Sequence, residues 1–281
     1  MPYAPEQPSD ITTIVPGLLY RIGTVVGADN LSWLPWDATG YEPLNCYLFT
    51  LPDAAVFVDA CPAISRPAVE RALAELVGDR QVLVFPTRNE AECVGNLGLL
   101  LARGRDARLL FGGGGGILEW INHPDAPPAV TDNFLDVTPI DPAANGTSTR
   151  IGPLHFDWMN AAVKEMFLTQ WAYERTTRTL FTSDFFGWQH LAAPGAAVVH
   201  TAADPSPSAG TVADEIVNRI NWLPGAHCPE IIDGFATLMS ELDVETIAPV
   251  HGAVLSGRDL VTRSVDIALT ALASLTSPVP A

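Results

Sequence analysis

Basic side chains are scarce in this chain of 281 residues: 15 lysines and arginines stand against 32 aspartates and glutamates, a formal charge of −17. Phosphate backbones and anionic leaflets are bound through surplus Lys and Arg, so the balance argues against nucleic acid and against a membrane surface as partners. Long apolar runs are missing too, and no stretch of about 18 apolar residues is present to span a bilayer. The segment Met1-Pro2-Tyr3-Ala4-Pro5-Glu6-Gln7-Pro8 lacks the basic and apolar regions of a secretory signal, which sets the expectation of a cytoplasmic protein. Cysteine is sparse: Cys46, Cys61, Cys93 and Cys228 lie far apart with no C-x-x-C pair. Neither a disulfide framework nor a zinc ribbon is signalled. His155, His190, His200 and His227 are scattered, with no H-x-x-x-H pair to make a metal site of their own.

What is present is a layered rhythm of strands and helices. After a Pro-rich tail over residues 1–15, Gly17 to Val26 reads as a strand, and Asn45–Thr50 with Ala55–Asp59 reads as a hairpin around Leu51-Pro52-Asp53. Ser65 to Val77 carries a Ser cap, an early Pro and apolar residues three and four apart, which predicts an amphipathic helix ending near Gly78. Val82–Phe85 and Arg108–Phe111 read as strands, with a helix from Val94 to Leu101 between them. Strands are expected at Phe134–Ile140, Leu154–Met159, Thr179–Thr182 and Glu245–Val250, and helices at Val212–Trp222, Glu230–Leu242 and Asp259–Leu275. The even spread of apolar segments favours one domain over residues 16–281.

Between the strand Val82–Phe85 and the following helix stands Thr87-Arg88-Asn89-Glu90-Ala91-Glu92-Cys93-Val94-Gly95-Asn96. Side chains able to ligate a cation alternate here with one that cannot. A guanidinium has donors only and stays protonated, so Arg88 cannot hold a metal. It can pair bidentately with carboxylates instead. Glu90 and Glu92 also fit solvated first-turn helix residues favoured by the dipole, and Cys93 fits a small buried residue. The five glycines Gly112 to Gly116 lack the Lys-Ser/Thr of a phosphate loop and read as a flexible loop. Trp33-Leu34-Pro35-Trp36 falls in a long loop able to cover a pocket mouth.

Several separated segments together resemble one superfamily. Asn45-Cys46-Tyr47-Leu48 with Val56-Phe57-Val58-Asp59 resembles the hairpin that opens the metallo-β-lactamase fold, Thr87 to Asn96 its ligand loop, and Ile247-Ala248-Pro249-Val250-His251-Gly252 its last ligand segment. Thr179 to Gly187 is similar to the Phe-Ser-x-Asp-x-Phe-Gly segment of flavodiiron proteins and their oxygen-binding diiron relatives. The spacing of that family's next histidine, counted back from Asp184 and independently from Tyr173, lands on Glu165 both times. The resemblance implies an αββα sandwich. It also implies that Arg88, Glu90 and Glu165 occupy the positions of one metal's ligands, that Glu92, Cys93 and His251 occupy those of the other, and that Asp184 stands as the bridge.

Only Glu90, Asp184 and His251 match the family's ligands in type. Arg88 is the decisive departure, and it is expected to pair with Glu90, Glu165 and Asp184 in place of one ion. Glu92, Cys93, Asp184 and His251 remain able to hold one Fe or Zn ion tetrahedrally, although His251 equally fits a structural imidazole that caps a strand end. His190, close after Asp184, is placed beside the site.

Two functions follow. One is an enzyme acting on a small molecule by hydrolysis or oxygen chemistry, with Glu92, Cys93 and His251 as candidate catalytic residues and one ion as Lewis acid or redox centre. No flavin domain is read in this sequence, which sets the expectation of an external electron donor for any redox chemistry. The other is a metal-free descendant that binds a ligand or supports assembly. A metal-free Cys93–His251 nucleophile pair is a third arrangement, and relatives of this kind make a homodimer the expected assembly.

Overall fold

The computed structural model describes residues 10–31, 34, 37–103, 106–110, 147–165, 169–227 and 229–276. Two sheets face each other. The first runs in the order β1 (Asp10–Val15), β2 (Leu19–Gly27), β3 (Tyr41–Thr50), β4 (Ala54–Val58), β5 (Gln81–Phe85), β6 (Arg108–Leu109). The second contains β7 (Thr147–Ile151), β8 (Leu154–Asn160), β9 (Gln170–Glu174), β10 (Thr179–Phe181), β11 (Val199–His200), β12 (Thr246–Ala248) and β13 (Val254–Ser256). Its order is β11-β13-β12-β10-β9-β8-β7.

Period-two alternation explains why both faces of each sheet are covered. Along β3 to β5, Tyr47, Phe49, Val56, Val58, Leu83 and Phe85 point between the sheets, where they meet Phe156, Trp158, Phe181 and Ala248. Their neighbours Cys46, Leu48, Ala55, Phe57, Val82 and Val84 point outward, under Val69, Leu73, Leu97 and Leu100. In the second sheet, Trp171, Leu180, Ile247 and Leu255 turn the other way and pack with Val212, Ile216, Phe235, Leu260 and Leu272. The result is an αββα sandwich. Fully burying a large apolar side chain contributes roughly 1.5–3 kcal/mol.

Residues 10–15, expected as the end of a tail, form β1 and pair antiparallel with β2. Alternation turns Ile11 toward one core and Ile14 toward the other, and the register shift between Thr13 and Val15 brings Val15 to the same core as Ile14. The helix expected from Ser65 starts at Arg66 and widens into a π-turn over Leu73–Val77 before Gly78, whose φ of 58° ends it. The helix expected from Val94 is two short ones, Ala91–Val94 and Leu97–Leu101. Gly95 separates them, and a Cβ there would lie 2.6 Å from the Ala63 backbone nitrogen. The strand expected at Phe134–Ile140, the glycine run Gly112–Gly116, Trp33, Pro35, Trp36 and Cys228 lie outside the described residues. No helix among the described residues is long and apolar enough to cross a membrane.

Candidate functional site

The site forms where three connections meet at one edge of the sandwich, joined there by Glu165 from the segment between β8 and β9. The first follows β5. Asp59, at the end of β4 and in the left-handed region with φ of 62°, accepts the Thr87 backbone N–H at 2.7 Å and the Thr87 hydroxyl at 3.0 Å. Thr87 in turn accepts the Gln170 N–H at 2.7 Å, tying this loop to the opposite sheet. Burial pushes the Asp59 carboxyl up to about 7 against the pull of these hydrogen bonds. So fixed, the loop projects Arg88, Glu90 and Glu92.

The second connection follows β10. Thr182 donates its hydroxyl to the Phe185 carbonyl at 2.7 Å, and Ser183 and Phe186 both take positive φ, 54° and 72°. Non-glycine residues rarely adopt this backbone, and two of them flank the buried Asp184. The third connection carries His251. The Asn45 amide donates to the carbonyls of Pro249 and Gly252 at 2.9 and 2.8 Å, and Val250 N–H bonds Ser183 O at 2.7 Å. The Asp184 and His251 turns are thereby pinned to each other.

Arg88 sits at the centre. Its Nη1 lies 2.6 Å from Glu90 Oε2 and 2.6 Å from Glu165 Oε2, and it also pairs with Asp184 Oδ2. Its Nη2 is 3.5 Å from Glu92 Oε1. The guanidinium is almost wholly buried. Burial works against its charge, but Asp184, Glu165 and Glu92 hold it more firmly protonated than usual. Burial would likewise raise Asp184, yet Arg88, a hydrogen bond from Glu165 and His251 hold it well below the usual carboxylate range. Glu165 takes the opposite part. Burial and its hydrogen bond to Asp184 push its carboxyl up to about 9, so it carries the proton of the pair at neutral pH. Burial also raises Glu90.

Beyond Asp184 the network continues inward. His251 Nε2 lies 3.0 Å from Asp184 Oδ1, and its Nδ1 lies 3.7 Å from Glu42 Oε1. Glu42 pairs with Arg219 at 2.5 Å, and Arg219 approaches Glu215 at 3.5 Å. Burial would raise Glu42, but Arg219 with His251 and His190 brings it lower overall. The helix Ala209–Arg219, capped by Ser208 accepting the Thr211 N–H, places Glu215 and Arg219 one turn apart on its inner face. His190 ends the chain, 3.4 Å from Glu215 and 4.0 Å from Glu42.

The structure therefore brings Arg88, Glu90, Glu92, Glu165, Asp184 and His251 together and leaves two residues apart. Cys93 is fully buried, its sulfur 3.5 Å from Thr87 Oγ1, packed with the apolar residues beneath the loop. Burial, then the nearby Asp59, pushes its thiol up, the reverse of what a nucleophile or metal ligand requires. His190 stands 3.4 Å from Glu215 and 4.0 Å from Glu42, and Glu42 lies between it and His251. Sequence reasoning missed Glu42, Asp59, Glu215 and Arg219. A glutamate inside a strand beside Pro43 carries no local mark, and its partner lies 177 residues away.

Solved structures similar to this chain now bear on the geometry. A mutant flavo di-iron protein from Thermotoga maritima aligns with a TM-score of 0.66 at 18% identity, covering 94% of this chain and 61% of that one. The rubredoxin oxygen:oxidoreductase of the anaerobe Desulfovibrio gigas aligns with a TM-score of 0.66 at 17% identity, covering 92% and 60%. A metallo-β-lactamase from Pontibacter korlensis aligns with a TM-score of 0.55 at 13% identity, covering 92% and 98%. The fold is that of the metallo-β-lactamases. The chain spans about three fifths of the length of the flavo di-iron protein and the rubredoxin oxygen:oxidoreductase that it aligns with. No family model matches the sequence, and no curated protein matches it.

A diiron centre is what this fold implies in flavodiiron proteins, and the residues present do not fit one. Oxygens from Glu90, Glu165 and Asp184 converge on a single atom, Arg88 Nη1, a cationic donor that cannot ligate. On the other side, His251 Nε2 is engaged with Asp184 and Cys93 is turned into the core. Among the described residues no group of three or more His, Cys, Asp or Glu side chains is arranged to hold a metal ion.

Proposed function

We propose that this chain is a metal-independent member of the metallo-β-lactamase fold, a ligand-binding or assembly module whose former metal position is held by Arg88. One observation carries the reading: Arg88 Nη1 contacts Glu90, Glu165 and Asp184 at once, neutralising by hydrogen-bonded charge what a cation would otherwise neutralise. Such a site is preorganised. Its buried pairs fix the Asp184 and His251 turns, so the edge of the sandwich keeps one shape without an ion.

A second reading keeps the enzyme: one iron or zinc ion, hydrolysis or oxygen chemistry on a small molecule, and an external electron donor where electrons are needed. What favours it is the surplus of carboxylates, Glu90, Glu92, Glu165 and Asp184, over a single guanidinium. Glu165, protonated at neutral pH, removes part of that surplus. Replacing Arg88 by histidine separates the two readings. The metal-independent reading expects Arg88→His to take up iron or zinc while the parent takes up none, because only the variant restores a donor to the centre. Stoichiometric metal in the parent contradicts it.

A further inference from the structure

The helix Pro229–Glu241 is less covered than its neighbour. Of its 13 residues only Phe235 is buried, whereas the 11-residue helix Ala209–Arg219 buries five. Yet it carries Ile231, Ile232, Leu238 and Met239, all only partly buried against the outer core of the second sheet. Along one flank, between this helix and residues 157–162, runs a groove of about 730 Å³. Met159, Ala161, Ala162, Ile231 and Leu238 give it an apolar lining. Ile231, Gly234 and Leu238 stand three and four residues apart, so they form one ridge of the helix along the groove.

Gly234 is the middle of that ridge. A glycine inside a helix weakens it relative to alanine, and the chain itself supplies no reason for one here: φ is not positive, and a Cβ would meet nothing within 4 Å. The bare backbone is open to whatever lies in the groove. Glu230 and Glu241 mark the two ends, about three helical turns or roughly 16 Å apart. Both are exposed, and neither has an ion-pair or hydrogen-bond partner among the described residues. A third carboxylate, Asp157, is already paired with Arg175. No lysine or arginine is among the described residues that line the groove.

We infer that this groove docks a basic amphipathic helix of a partner protein, its apolar side chains laid along Ile231, Gly234 and Leu238 and its lysines or arginines reaching Glu230 and Glu241. Charge decides between this occupant and a second copy of the chain. A two-fold pair would set this face against itself and bring carboxylates to carboxylates, with a net charge of −17 on each copy. The same charge draws a basic segment in. None of the groove's lining residues belongs to the Arg88 cluster, so the inference stands whether or not that cluster binds metal.

Fluorescence anisotropy tests it, with a labelled peptide of leucine and lysine, about four turns long and patterned as an amphipathic helix, titrated with the full chain. Saturable binding of one peptide per chain is expected. Gly234→Leu, which fills the middle of the groove and has room to do so, should weaken binding at least about tenfold while the melting temperature holds or rises. The double variant Glu230→Gln/Glu241→Gln should weaken it about threefold and flatten its salt dependence. Both glutamates are exposed, so this variant keeps the fold even if Gly234→Leu does not. A peptide of the same composition in scrambled order should fail to compete. The inference is overturned if no saturable binding is seen, if either variant binds as the parent does, or if the scrambled peptide competes equally well, which would mean diffuse attraction to an acidic surface. It is equally overturned if the chain sediments as a dimer that Gly234→Leu makes monomeric, which would give the groove to a second copy.

Discussion

Arg88 and Asp184 form a buried ion pair across the site, joining the loop after β5 to the turn after β10, and His251 closes on the same carboxylate at 3.0 Å. Removing the guanidinium would leave Glu90, Glu165 and Asp184 facing one another without a cation. Arg88→Met is therefore expected to cost about 3–5 kcal/mol of unfolding free energy, the usual penalty for breaking a buried pair from one side. Urea denaturation checks this. A loss below about 1 kcal/mol would show the pair to be as weak as a surface one.

The proton held by Glu165 gives the site a pH dependence of definite sign. Its carboxyl is raised from an ordinary 4.5 to about 9 in the folded chain, so the folded state binds the extra proton in between. Stability contributed by that group falls as pH rises through this window and levels off above it. Asp59, raised to about 7, acts in the same direction but only below that pH. Between pH 7 and 9 the decline should come from Glu165, and Glu165→Gln, an amide standing in for the protonated acid, should flatten it. Denaturation midpoints at the two pH values decide the matter. An equal slope in parent and variant would count against the assignment.

Cys93 is expected to behave as a core residue. Mass-spectrometric mapping after alkylation of the native chain should find it unmodified, and the unfolded chain fully modified. Rapid native labelling would place the thiol in the open and revive its pairing with His251.

Gly252 holds the His251 turn against the Asp184 turn. It takes φ of 76°, and a Cβ there would lie 2.6 Å from the Gly187 carbonyl oxygen. Gly252→Ala should destabilise by about 1–3 kcal/mol, as overpacking does. A melting temperature unchanged from the parent's would show that the two turns separate easily.

How much of this was legible beforehand depended on whether the signal was local. The hairpin of β3 and β4, the strand before Arg88 and the helix that closes the chain follow from alternation and three-four spacing, and they appear within a few residues of their expected bounds. β7 and β9 carry no clear signal: β7 is polar until its last residue, Ile151, and Gln170-Trp171-Ala172-Tyr173-Glu174 has no turn signal before it. At the site, Arg88, Glu90, Glu165, Asp184 and His251 could be named because each sits at a countable distance from a recognisable segment. Glu42 and Arg219 could not. Their pairing is made only when β3 and the helix Ala209–Arg219 meet, and nothing in either segment's composition demands it. Cys93 shows the converse: its position in the loop invited a chemical role, while the helical turn Ala91–Val94 in which it lies points its sulfur at Thr87.

The central claim, that a guanidinium holds the place of an ion, is tested most directly by the metal content of the purified parent chain after expression with iron, zinc and manganese supplied. Less than about a tenth of an equivalent of any metal is expected, unchanged by Asp184→Ala or His251→Ala. Stoichiometric metal that is lost in either variant would contradict the account.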